Sequence, residues 1–149
     1  MKDRPKGKPF TVHIADTAII KKMGCPVTKE ARMLIDKFWP GPLTVILRSK
    51  GGKKIGFRMP DNKVALELIK KSKVPVVAPS ANIGGRKAPT SAPDVLADLK
   101  GKIDIVIDSG RTSLGIESTV VDLTESPPVI LREGAIKKDQ IFRLLKIKV

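Results

Sequence analysis

Val76-Val77-Ala78-Pro79-Ser80-Ala81-Asn82-Ile83-Gly84-Gly85 is the stretch on which the reading of the fold turns. An apolar strand over residues 74–78 ends abruptly in small polar residues and glycines, with no charge of either sign until Arg86. A strand that stops this way delivers a hydroxyl (Ser80) and an amide (Asn82) to the rim of a sheet, where open α/β proteins hold their ligands. The glycines behind them let backbone approach a bulky anion closely. The same residues also suit the plainer task of closing a surface turn.

Strand and helix signals alternate outward from this stretch in both directions, without a linker or repeat. Residues 10–14 read as a strand. Ala31, Leu34, Ile35 and Phe38 recur at i, i+3, i+4 and i+7, one helix face, with Thr28 placed to cap it. Trp39-Pro40-Gly41-Pro42 must stop that helix, because neither proline can continue it. A buried strand over 43–47, a turn at Gly51-Gly52, a strand through Phe57-Arg58 and a helix capped by Asp61 and running to about Lys71 follow. Ser91 and Asp94 have capping-box spacing for a helix ending near Lys100. Residues 103–107 are an apolar strand interrupted by Asp104. Strands over 118–123 and 129–132 are joined at Ser126-Pro127-Pro128, and Ile141, Leu144 and Leu145 mark a short last helix. The expected fold is α/β: one domain over 1–149, built as a twisted open sheet, part parallel and part antiparallel, with packed helices. No G-x-G-x-x-G or G-x-x-x-x-G-K-[ST] is present, which argues against a Rossmann or P-loop protein.

Lys and Arg number 29 against 15 Asp and Glu, a formal net charge of +14 over 149 residues. Such an excess predicts polyanionic company, nucleic acid or nucleotide phosphates. Aromatics at 3%, with no tyrosine, argue against reading single-stranded bases by stacking. Cys25 is the only cysteine, which excludes an internal disulfide and a structural zinc cluster. In Met23-Gly24-Cys25-Pro26 nothing is placed to lower its pKa, so a structural role is expected. No apolar run approaches membrane-spanning length, and Met1-Lys2-Asp3-Arg4-Pro5 is not a signal peptide, so a soluble cytoplasmic protein with no membrane partner is expected.

His13 is the only histidine, which argues against a Ser-His-Asp triad, a histidine-rich metal site and a two-histidine relay. Carboxylates are sparse near the polar strand ends, so paired-acid chemistry is not expected either. What remains is a set of cations and hydroxyls at strand and loop ends: Lys2, Arg4, Lys8, Arg58, Ser80, Asn82, Ser118, Thr119 and Arg132. Fixed cations, hydroxyls and backbone donors suit phosphoryl or nucleotidyl transfer, where positioning and charge neutralisation supply most of the catalysis.

Seven motifs then carry a resemblance. K-x-R-P (Lys2, Arg4, Pro5), K-P-F-T-V-H-I (residues 8–14), W-P-G-P-L-T (39–44), F-R-M-P (57–60), A-P-S-A-N (78–82), E-S-T-V-V-D (117–122) and L-R-E-G (131–134) stand in the order of the YrdC-type threonylcarbamoyl-AMP synthases, which the chain resembles over essentially its whole length. The resemblance implies an enzyme that combines L-threonine, bicarbonate and ATP into threonylcarbamoyl-AMP and pyrophosphate, a donor for threonylcarbamoyladenosine in tRNA, with a downstream tRNA-modifying complex as partner. It implies Lys2, Arg4, Ser80 and Asn82 as the catalytic set around the nucleotide phosphates, and Arg4, Lys8, Lys54, Ser80 and Arg132 as ATP contacts. His13, Arg58, Ser118 and the backbone at Ala78 match the threonine pocket. Mg2+ is expected with the triphosphate, held by phosphate oxygens, with no protein metal site and no tightly bound cofactor.

Three departures from the family pattern stand out. Relatives carry a P-T-D-T-x-Y-G-L segment ahead of K-x-R, so an N-terminally shortened domain lacking its first strand–helix segment is expected. Lys54 occupies a position where relatives commonly have Thr or Ser, and Ala88 one where Ser is common. Two other readings differ in chemistry: a related carbamoyl-adenylate-forming domain that uses carbamoyl phosphate, and a non-catalytic double-stranded RNA-binding module, whose affinity would fall steeply with salt. The V-H-I setting of His13, without acylphosphatase or zinc-finger segments, favours the threonine branch.

Overall fold

The computed structural model describes residues 11–147, which form two compact units: residues 79–117, and residues 11–78 together with 118–147. The second unit carries β1 (Thr11–His13), α1 (Ala18–Lys22), α2 (Lys29–Phe38), β2 (Leu43–Arg48), β3 (Lys54–Arg58), α3 (Lys63–Ser72) and β4 (Val76–Val77). After the first unit's α4 (Ala92–Leu99), it resumes with β5 (Thr119–Asp122), β6 (Val129–Arg132) and α5 (Lys138–Leu145). Among the described residues the strands form one open sheet in the order β4-β1-β3-β2-β5-β6. Pairs β1–β3 and β2–β5 are parallel, and β1–β4, β2–β3 and β5–β6 antiparallel. This is the mixed sheet read from the sequence.

Strand periodicity divides the sheet into two faces. Val12, Leu43, Val45, Leu47, Phe57 and Val121 are buried on one, in a single core with Ile20, Ala31, Leu34, Ile35 and Ile141 from the helices. Each of the Val, Leu, Ile and Phe side chains contributes about 1.5–3 kcal/mol on burial. The other face carries His13, Thr44, Arg58 and Arg132, and the site is built there.

The stop after α2 shows how the sequence sets this geometry. Thr28 Oγ1 accepts the Ala31 amide at 3.2 Å to start the helix. Trp39 leaves it in an extended conformation before a cis Trp39–Pro40 bond. The Trp39 indole donates to the Leu43 carbonyl at 2.8 Å, and the Gly41 amide to the Met59 carbonyl at 2.9 Å, tying this corner to the end of β3. A Cβ on Gly41 would collide with the Phe38 carbonyl, a backbone atom that cannot swing aside. Gly41→Ala is therefore expected to cost about 2 kcal/mol or more, as strain and overpacking do elsewhere. A chemical denaturation midpoint equal to wild type would contradict this.

Several expectations are corrected. Asn62, not Asp61, caps α3, its Oδ1 accepting the Ala65 amide at 2.9 Å. Only Val76–Val77 of residues 74–78 joins the sheet. Residues 103–107 form no strand; Ile105 is 79% exposed. Apolarity gives a segment reason to be buried, but a strand also needs a neighbour's backbone to pair with, and none does so among the described residues. α1, unforeseen, starts where Asp16 accepts the Ala18 amide at 2.8 Å and buries Ile20. Among the described residues no helix is long and apolar enough to cross a membrane.

Candidate functional site

One edge of the sheet in the second unit gathers the polar groups. β1 and β3 run parallel and end there at His13 and Arg58, which are paired in register. β2 and β5 begin at this edge and β6 ends at it, because β2 opposes β3, β5 follows β2 and β6 opposes β5. Paired residues of adjacent strands share a face. Continuing the β2–β3 register by one residue sets Thr44 opposite Arg58; Thr44 pairs with Val120, and Val120 with Arg132. Ser118, two residues before Val120, shares that face. His13, Arg58, Thr44, Ser118 and Arg132 thus form a row across five strands.

Hydrogen bonds lock the row. Arg132 donates from Nε to the Ser118 carbonyl at 3.0 Å and from Nη2 to Ser118 Oγ at 3.1 Å. Ser118 Oγ lies 3.0 Å from Thr44 Oγ1, both buried. Arg58 Nε donates to the Gly41 carbonyl at 3.4 Å, the corner set by the α2 stop. Thr119, fully buried beneath Ser118, donates to the Ile136 carbonyl at 2.6 Å and accepts from the Gly134 and Ile136 amides at 2.9 and 3.0 Å. That clamps the chain just beyond Arg132.

The electrostatics suit an anionic ligand. Burial, then the nearby Arg132, pushes the Arg58 pKa down, and among the described residues no carboxylate pairs with Arg58. A partly buried guanidinium without a counter-ion is costly unless a ligand supplies one. Burial, then the Arg58 charge, likewise lowers the His13 pKa, while the Thr11 backbone opposes the shift. Both effects favour the neutral imidazole.

The polar run of the opening stretch lies in the unit of residues 79–117. Asn82 is buried and turns its amide inward, donating to the Arg86 and Lys87 carbonyls at 2.6 and 3.2 Å. Asp98 of α4 accepts the Ile83 amide at 3.0 Å and pairs with Arg86, pinning the loop. Ser80 is exposed on the wall of a hollow of about 290 Å³, along with the hydroxyls of Thr90, Ser91, Ser109 and Thr112. The Ser91 side chain accepts the Asp94 amide at 3.4 Å, starting α4 as expected, but Asp94 reaches back to Thr90.

The edge brings together His13, Arg58, Ser118 and Arg132 of the residues singled out in the sequence. Arg132, grouped there with ATP contacts, lies against Ser118. Ala78 follows β4, which runs away from this edge beside β1. Lys54 is on the same face as Arg58 but at the other end of β3, about 13 Å along the strand. There it binds Asp122 and Glu125, each at 2.8 Å. Burial pushes Asp122 up, but the hydrogen bonds from Lys54 and Thr124 outweigh it and hold the carboxyl low. Lys2, Arg4 and Lys8 lie outside the described residues. Among the described residues no three His, Cys, Asp or Glu side chains gather to hold a metal ion. Cys25 is buried, which pushes its thiol pKa up, as a structural cysteine's would be.

The family model Sua5/YciO/YrdC, described as "Telomere recombination", matches residues 1–134. The chain belongs to this family. It is 42% identical, over 97% of its length, to the threonylcarbamoyl-AMP synthase of Pyrococcus abyssi, and 42% identical, over 94%, to that of Bacillus subtilis. It spans 45% and 43% of those two proteins. The crystal structure of P. abyssi Sua5 complexed with L-threonine superposes with a TM-score of 0.87 at 44% identity, covering 95% of this chain and 44% of that one.

Against this Sua5/YciO/YrdC background, Thr44 is the site residue that sequence reasoning did not single out. Its signal was present: it is the one hydroxyl within the otherwise apolar Leu43-Thr44-Val45-Ile46-Leu47. A lone polar residue in a strand buried on both faces needs a partner, and Ser118 is that partner.

Proposed function

We propose that this chain acts in threonylcarbamoyl-AMP synthesis, joining L-threonine, bicarbonate and ATP with release of pyrophosphate. The row of Arg58, Thr44, Ser118, Arg132 and His13 at one sheet edge carries this reading. The Arg58 guanidinium would grip the amino-acid carboxylate through two parallel N–H donors, which fits its having no carboxylate partner among the described residues. The hydroxyl pair of Ser118 and Thr44 would meet the threonine side chain. A site that hydrogen-bonds a substrate hydroxyl rejects an analogue lacking one, because its own polar groups would be left unpaired. The threonine complex of the P. abyssi relative supports the assignment of the amino acid.

The threonine amine would capture the bicarbonate carbon, and a carbamate oxygen would then displace pyrophosphate from the α-phosphorus. Ser80, Asn82, Lys2, Arg4 and Lys8 are assigned to the nucleotide side on their motifs. Mg2+ would enter as a complex with the triphosphate. The product would pass to a tRNA-modifying partner, and the +14 charge suits meeting RNA.

With ATP, magnesium and bicarbonate present, pyrophosphate release should depend on L-threonine. It should fall by at least about tenfold when L-2-aminobutyrate, which lacks the hydroxyl, replaces it. Equal release with and without threonine would refute the assignment.

A further inference from the structure

We propose that His13 is the general base of the site, taking a proton from the ammonium group of the bound amino acid so that its nitrogen can attack bicarbonate. The inference rests on the synthase reading and adds a catalytic role to a residue so far assigned only to substrate binding.

Three observations carry it. His13 is paired in register with Arg58 across two parallel strands, so a carboxylate held on Arg58 sets the α-ammonium beside the imidazole. His13 Nδ1 is buried and has no hydrogen-bond partner among the described residues, and with Nδ1 carrying the ring hydrogen Nε2 is the nitrogen through which a proton can come and go. Among the described residues the charge acting on the ring is that of Arg58 on β3, with Arg132 of β6 further along the row beside Arg58, while β4 opposes His13 with Val76. Among the described residues no carboxylate acts on the ring to hold it as imidazolium, which leaves it able to accept a proton. The two guanidiniums also lower the ammonium's own affinity for its proton, narrowing the gap that the transfer must cross.

The bookkeeping closes. Nε2 takes one proton from R–NH3+, giving R–NH2 and imidazolium. The amine attacks bicarbonate carbon, a C–N bond forms, a C–O bond breaks, and R–NH–COO− and water result. Imidazolium returns its proton to solvent.

As the only histidine, His13 gives a single set of imidazole signals. His13→Gln, which keeps an amide near the Nε2 position but cannot take the proton, should lower kcat for threonine-dependent pyrophosphate release by about 10²- to 10⁴-fold. The threonine KM should move by no more than a few-fold, and the acid limb of kcat/KM should vanish. In wild type that limb should follow the His13 pKa read by NMR, and saturating L-threonine should shift that titration. An active wild type whose variant keeps kcat and loses only KM overturns the base and leaves the synthase reading standing. A wild type with no threonine-dependent release overturns both. Should the variant fail to fold, a wild-type His13 titration unmoved by L-threonine overturns the base.

Discussion

Arg58→Lys is expected to weaken L-threonine binding by about tenfold to 150-fold while leaving the unfolding midpoint nearly unchanged. A carboxylate on Arg58 would accept two parallel charge-assisted hydrogen bonds, and lysine can offer the charge but not the planar fork. Losing one such bond costs about 1.5–3 kcal/mol, which converts to that range of affinity. The surroundings add to the loss. Arg58 Nε reaches the Gly41 carbonyl, which helps to fix the guanidinium in place. Lysine has no equivalent donor midway along its chain, so the ammonium would wander. Arg132 cannot substitute, because its Nε and Nη2 are committed to Ser118. Calorimetric titration with L-threonine decides it. Affinity within threefold of wild type would mean that the carboxylate is held elsewhere.

The sequence made the ends of the strands legible but not their order. Proline and glycine are local signals, so the stop at Trp39-Pro40-Gly41-Pro42 and the strand Val129–Arg132 after Pro128 could be read directly. Arg58, Ser118 and Arg132 could each be placed at a strand end for the same reason, and His13 within a strand over residues 10–14. That they share one edge depends on β1 pairing with β3 and β2 with β5, contacts between segments far apart in the chain. Lys54 shows the consequence: it stands on the same face as Arg58 at the opposite end of one short strand, and only the fold shows that Asp122, 68 residues away, is what it binds there. The 103–107 run failed for a related reason, since its own composition says nothing of who would pair with it. Thr44 is a lone hydroxyl in an apolar strand, but its place in the site could not be read until its partner, 74 residues on, was known.

The largest expected loss of stability comes from removing a single oxygen beneath the site. Thr119→Val preserves the shape of a fully buried side chain and deletes a hydroxyl that makes three hydrogen bonds, to the Gly134 amide, the Ile136 amide and the Ile136 carbonyl. Valine leaves these backbone groups without that partner. An unsatisfied buried polar group costs about 1–3 kcal/mol, so a total of about 2–5 kcal/mol is expected, allowing for partial relaxation. Against a typical stability of about 5–15 kcal/mol this is a large share, and at roughly 3 °C per kcal/mol the Tm should fall by about 6–15 °C. Thr119→Ser separates the cause, because it keeps the oxygen and loses only a methyl group, worth about 1 kcal/mol. The ligand site should feel the same change. Residues 134–136 follow Arg132 directly, so loosening them frees the guanidinium that holds Ser118, and the folded valine variant should bind L-threonine more weakly than the serine variant. A valine variant as stable as the serine one would show that the hydroxyl does not hold the chain behind Arg132, and the rigidity inferred for the edge would lose its main support.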